Sequence, residues 1–142
     1  MAEVIKNKLI EIRFQFPADP YFLKTVRSII QSTGQKIGLN LDEIRNMQIV
    51  SGELISNIIL HTYKNDKTQI IIFKIIETEK KVSCFFRDFG PRADLSTFKS
   101  RDLSDYREKG LGLFLAHKLS NYLHYDRTMN VGTEVVASFN KL

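Results

Sequence analysis

The stretch Gly52-Glu53-Leu54-Ile55-Ser56-Asn57-Ile58-Ile59-Leu60-His61 constrains this chain more than any other. It lies late in a long amphipathic pattern and therefore reads as helix. On a helix, residues four apart share a face, so Glu53, Asn57 and His61 form a polar stripe along an otherwise apolar segment. Setting a carboxylate and an amide beside Leu54, Ile55, Ile58 and Ile59 is costly unless something satisfies them. A hydrated divalent ion carrying a nucleotide would do so: a carboxamide oxygen suits a hard cation, and a carboxylate can orient a hydroxyl or a water. Taken alone, the same stretch reads sooner as the wet edge of an ordinary helix. The rest of the chain has to decide.

Ahead of it, Ile10, Ile12, Phe14 and Phe16 alternate with polar neighbours, the pattern of a half-buried strand over residues 9–16. Pro17 ends that strand, and Asp19-Pro20 marks a helix start. Leu23, Val26, Ile30, Thr33 and Ile37 follow helical spacing until Gly38. Asn40 and Glu43 open the second helix as a capping box, and Lys64-Asn65-Asp66 closes it. Two strands follow, Thr68–Thr78 and Lys81–Arg87, rich in Ile, Val and Phe and joined by a charged turn. From Asp88 to Lys109 the chain is polar with few apolar anchors, a loop long enough to be either functional or disordered. Gly110-Leu111-Gly112 leads into a third helix that carries apolar spacing to Leu123, and two strands at about 124–129 and 133–139 complete the chain.

This order predicts an α+β two-layer sandwich: a mostly antiparallel five-stranded sheet with three helices on one face. At 142 residues it forms one domain, 1–142, with a lid at about 91–109. The single cysteine, Cys84, allows neither an intrachain disulfide nor a zinc cluster. No apolar run approaches ~18 residues, so no membrane span is expected, and the acidic, alternating N-terminus is unlike a signal peptide. A cytoplasmic protein is the expectation. The net charge of +5 is spread over scattered Lys and Arg with no aromatic interleaving, which favours a solvated surface over a nucleic-acid site.

Four fragments have a common use in holding ATP. Asn57 can complete a magnesium shell of phosphate oxygens and waters, next to Glu53. A carboxylate at a strand end, such as Asp88, can accept from the adenine amino group, with a nearby hydroxyl in support. Glycines let backbone approach phosphates, and a helix N-terminus directs free N–H groups at them. Each fragment also has a plain reading: Asp88-Phe89-Gly90 as a turn, Gly110-Leu111-Gly112 as a loop closure, Gly132-Thr133 as a hairpin exit. Their order and spacing around one long loop favour the common use. No Walker loop is present.

With its E-x-x-x-N, D-x-G, G-x-G and G-T order, the chain resembles the gyrase/histidine-kinase ATPase superfamily, the Bergerat fold. It is most like the bacterial anti-sigma-factor serine/threonine kinases, from its first strand to its last. The resemblance rests on Gly52–Asn57, Arg87–Pro91, Lys109–Leu115 and Val131–Val135. It implies Asn57 as the magnesium ligand and Glu53 as the general base or orienting carboxylate. It further implies Asp88 as the adenine reader, Gly90 as the close approach beside the base, and Thr133 as support for that contact. Gly110, Leu111 and Gly112 would present backbone to the phosphates. His61 either borders the site or is a satisfied helix-end histidine. Arg107 and Lys109 either bring charge to the γ-phosphate or are solvated lid residues. Two departures stand out: Asp88-Phe89-Gly90-Pro91-Arg92 lacks the second glycine of the usual D-x-G-x-G, and Glu108-Lys109 stands where a glycine pair is usual before Gly110.

The function so implied is an ATP- and Mg-dependent protein serine/threonine kinase acting as a partner-switching anti-sigma factor. It would sequester a sigma factor, phosphorylate a small anti-anti-sigma protein and form a homodimer, with no direct role for nucleic acid or membrane. The alternative is a nucleotide-dependent regulatory binding module that transfers nothing and acts on a non-sigma target.

Overall fold

In the computed structural model the described residues are 7–91 and 111–141. Strand β1 (Ile10–Pro17) sets Ile12, Phe14 and Phe16 inward and Glu11, Arg13 and Gln15 outward, as the alternation requires. Pro17 ends it. Asp19 then caps a 3-10 turn, Pro20–Phe22, by accepting from the Tyr21 amide at 3.0 Å, and the turn runs directly into helix α1 (Leu23–Lys36). Gly38, at φ +83°, turns the chain out of α1.

Helix α2 (Leu41–Asn57) begins at the expected capping box: Asn40 Oδ1 accepts from the Glu43 amide and Glu43 Oε1 from the Asn40 amide, both at 2.8 Å. Such a cap is worth about 1 kcal/mol. Burial of Met47, Val50, Leu54 and Ile55 is worth roughly 1.5–3 kcal/mol each. The cap thus fixes where α2 starts, and packing fixes where it lies. The helix does not continue unchanged to Lys64. After Asn57 it widens into a π turn, Ile58–Thr62, and the Tyr63 amide reaches back five residues to the Ile58 carbonyl at 2.8 Å. Lys64 and Asn65, both at positive φ, then release the chain.

Strands β2 (Ile70–Glu77) and β3 (Lys81–Asp88) form the expected hairpin. Helix α3 (Leu111–Leu119) is shorter than the apolar spacing to Leu123 suggests. Ser120 folds back on the Ala116 carbonyl, and the Asn121 amide bonds instead to the Ser138 carbonyl at 2.9 Å. Leu123 therefore belongs to strand β4 (Tyr122–Asp126), which pairs with β5 (Thr133–Asn140). Asp126 ends β4 by accepting from both the amide and the hydroxyl of Thr128, so the strand stops short of residue 129.

The sheet order is β1-β2-β3-β5-β4, every pairing antiparallel. α1 and α3 flank α2, and all three cover one face. The core there joins Val26 and Ile30 of α1, the inner side of α2, Ala116 of α3, and an aromatic and aliphatic floor of Phe16, Phe73, Ile75, Phe86, Val135 and Ala137. Cys84 lies in this core, its thiol pushed up to about 12 by burial, so it stays protonated and inert. The α+β sandwich is as the sequence predicts.

Candidate functional site

The site is built where α2 ends above the adjoining ends of β3 and β5. Antiparallel register sets Asp88, the last residue of β3, directly opposite Thr133, the first of β5, and the pleat turns both toward the helices. Asp88 is 3% exposed and Thr133 8%. Burial pushes the Asp88 carboxyl above the usual aspartate range. The backbone amides of Gly90 and Thr133 and the Arg87 guanidinium pull it back only in part. Asp88 Oδ1 accepts from the Gly90 amide at 3.1 Å, which aligns the carboxylate at the head of its turn.

Two glycines make this arrangement possible. A Cβ on Gly132, whose φ is +76°, would lie 2.1 Å from the Asp88 carbonyl oxygen and 2.8 Å from the Arg87 guanidinium. That guanidinium also bonds to the Asp88 carbonyl and stacks over Phe89. A Cβ on Gly90 would lie 2.6 Å from Thr62 Cγ2 and 3.1 Å from the Tyr63 ring. Both glycines are positions of close approach.

Between Asp88 and the end of α2 opens a cavity of about 160 Å³. Asn57, His61, Asp88 and Thr133 all line it. So do residues that the motif reading missed: Leu54, Ile58 and Val135 as apolar walls, with Thr62, Pro91 and Tyr125. Tyr125 follows the inward alternation of β4, the signal that could have found it; its phenol is pushed up to about 12 by burial. Small-molecule sites start near ~300 Å³, so this cavity suits the base end of a nucleotide with its phosphates outside.

The expected stripe of Glu53, Asn57 and His61 is divided. Asn57 and His61 meet at the cavity, but Glu53 lines an adjoining open groove of about 350 Å³ between α1 and α2, with Arg27, Arg45 and Ser56. Asn57 and His61 share the cavity across the π turn, whereas Glu53, a turn earlier in the regular part of α2, lies beside α1. Leu111 and Gly112 form the first turn of α3. Gly110, Arg107, Lys109 and the lid at about 91–109, except Pro91, lie outside the described residues.

Among the described residues no group of three His, Cys, Asp or Glu side chains could cage a metal. A lone carboxamide at the cavity wall fits a hard cation that keeps most of its waters and takes its other oxygens from phosphate. No helix among the described residues is long and apolar enough to cross a membrane.

The sequence pattern of the histidine kinase-like ATPase domain family matches residues 16–139. The serine-protein kinase RsbW of Bacillus subtilis (strain 168) is 27% identical over 124 residues, covering 81% of this chain and 77% of that protein. RsbW of Staphylococcus aureus (strain JH9) is 30% identical over 125 residues, covering 80% and 76%. A Mycobacterium tuberculosis structure of RsbU and RsbW domains matches 94% of this chain with a TM-score of 0.68 at 16% identity. This chain spans 33% of that one. The SiaB-SiaC complex of Pseudomonas aeruginosa gives 0.68 at 14% identity, covering 97% of this chain and 93% of its own. At such identities the two structures speak to the fold alone. From the family match and these relatives, the chain belongs to the histidine kinase-like ATPase domain family, on the branch of the bacterial anti-sigma-factor serine/threonine kinases.

Proposed function

We propose that this protein is an ATP-dependent serine/threonine kinase that acts as a partner-switching anti-sigma factor. In this reading it phosphorylates a small anti-anti-sigma protein, sequesters a sigma factor and works as a cytoplasmic homodimer. The observation that carries the nucleotide part is the buried Asp88–Thr133 pair at the base of a cavity whose upper wall bears Asn57. The carboxylate accepts from the adenine amino group with the Thr133 hydroxyl in support. Leu54, Ile58 and Val135 sandwich the base in apolar surroundings. Asn57 would hold magnesium, which when bound would neutralise phosphate charge. Backbone N–H groups of Gly110, Leu111 and Gly112 meet the phosphates at the start of α3.

Glu53, one helical turn before Asn57, faces the groove by which a protein acceptor reaches the γ-phosphate. It accepts the proton of the acceptor hydroxyl as that oxygen bonds to the γ-phosphorus and the bond to the bridging oxygen breaks, releasing ADP. A lid at about 91–109, with Arg107 and Lys109 toward the γ-phosphate, completes the reading.

The second reading is a nucleotide-dependent binding module without transfer. On its side stands the separation of Glu53 from the cavity into the adjoining groove.

A thermal melt with and without Mg·ATP tests the nucleotide reading. Ligand at ~100 times its Kd stabilises the native state by about 2.7 kcal/mol, a rise of roughly 5–15 °C for a domain of this size. No rise at millimolar Mg·ATP refutes it.

A further inference from the structure

One hydroxyl joins three segments, two of which, the π turn and the turn after β3, line the cavity. Tyr63, at the end of the π turn, is 6% exposed. It donates to the Ile70 carbonyl at the start of β2 and accepts from the Phe89 amide, each at 2.7 Å. Phe89 directly follows Asp88, and Gly90, the next residue, is held from its other side by the Asp88 carboxylate. The Tyr63 ring fills the space beside Gly90, where a Cβ would sit 3.1 and 3.2 Å from its carbons. Burial raises the phenol above the ordinary tyrosine value, so it keeps the proton it gives to Ile70.

Other contacts of the turn after β3 are local, from Arg87 and from the Asp88 carboxylate; the Tyr63 hydroxyl ties it to a distant segment. Asp88-Phe89-Gly90-Pro91 has no second glycine to fold it tightly, and Pro91 has no amide to offer. The hydroxyl instead binds the peptide next to Asp88 to the same short segment that carries Asn57, His61 and Thr62 to the opposite wall. We propose that Tyr63 is a positioning residue for base recognition, whose hydroxyl clamps the Asp88–Gly90 turn to the π turn and so sets the direction in which Asp88 meets a purine amino group. The proposal rests on the nucleotide reading above and adds a residue that touches no nucleotide.

The test is Tyr63→Phe, which keeps the ring and removes the clamp. Calorimetric titration with Mg·ATP and Mg·GTP is made well below the melting temperature on wild type, Tyr63→Phe and Asp88→Asn. The expected result is about tenfold weaker ATP binding in Tyr63→Phe with GTP binding nearly unchanged, so that purine discrimination falls by the same factor. In the wild-type protein, which needs no variant to fold, ATP should slow hydrogen exchange at the Phe89 amide. Equal loss of both nucleotides, or unchanged discrimination, makes Tyr63 a stabiliser only and overturns the proposal, as does Phe89 exchange indifferent to ATP. Wild type that binds no ATP overturns the parent reading and this one with it. Wild type that binds, with Asp88→Asn impaired and Tyr63→Phe unaffected, overturns this one alone.

Discussion

Asp88 and Thr133 are register partners across the β3–β5 ladder, both buried and both turned toward the end of α2. A carboxylate in that position lowers the stability of the free protein, because it has lost water for only two backbone amides and a neighbouring guanidinium. Such a cost is expected where a ligand is to supply the missing partner.

The sign of the cost gives a pH test. Burial raises the Asp88 pKa in the folded protein above the unfolded value near ~3.9. Stability from proton uptake is therefore present below that pH and lost as pH rises through the folded value. Asp88→Asn, neutral throughout, should melt at or above wild type at pH 7 without nucleotide, and this advantage should vanish below about pH 4. Mg·ATP should no longer raise its melting temperature. Melting curves across pH check both halves.

Glu53 and Asn57 should separate chemistry from binding. Glu53→Gln should leave ATP affinity within about twofold and lower phosphotransfer to an acceptor protein by roughly 10²–10⁴-fold, the usual worth of a positioned base. Asn57→Ala should lose the magnesium-dependent part of ATP binding. Titration with and without magnesium, beside a radiolabel transfer assay, measures the two. Equal phosphotransfer by wild type and Glu53→Gln would remove Glu53 as the base, and no transfer by either, with ATP still bound, would leave the binding-module reading.

Gly132→Ala should be strongly destabilising. The left-handed backbone alone costs roughly 1 kcal/mol, and the added Cβ would press on the Asp88 carbonyl, which is backbone and cannot swing away. A total near 2–3 kcal/mol is expected, about 10 °C in Tm. Calorimetry of the apo protein measures it.

Gly52→Ala should do the reverse. Gly52 sits within α2, and nothing lies within 4 Å of the place a methyl group would take there. Replacing it removes the entropic cost of a helical glycine, a gain of about 0.5–1 kcal/mol and roughly 2–4 °C in Tm. A fall instead would mean that the groove beside Glu53 needs the glycine's bare backbone.

Much of this was legible locally. Strand alternation in Ile10–Phe16 gave β1, the Asn40–Glu43 box gave the start of α2, and the Ile- and Phe-rich runs gave the β2–β3 hairpin. Each depends on neighbours a few residues apart, where chain geometry leaves few choices. The extent of α3 was not legible, because Leu123 suits a helix face and an inward strand position equally, and the contest is settled by the Ser138 carbonyl from β5. In the cavity wall, the alternation of β4 marks Tyr125 as inward but not as a neighbour of Asp88, because that neighbour is brought by another strand.

Most element types and the α+β class can be read from the chain alone, since they follow from periodicity and caps, while the roles of the site residues are what the family resemblance implies. Three relations needed the folded molecule: Asp88 faces Thr133, Asn57 and His61 share a cavity from which Glu53 is set apart, and Tyr63 ties the Asp88 turn to the π turn. Those relations rest on strand register and on which elements pack against each side of α2 and its π turn, and both are fixed by packing between segments distant in the chain.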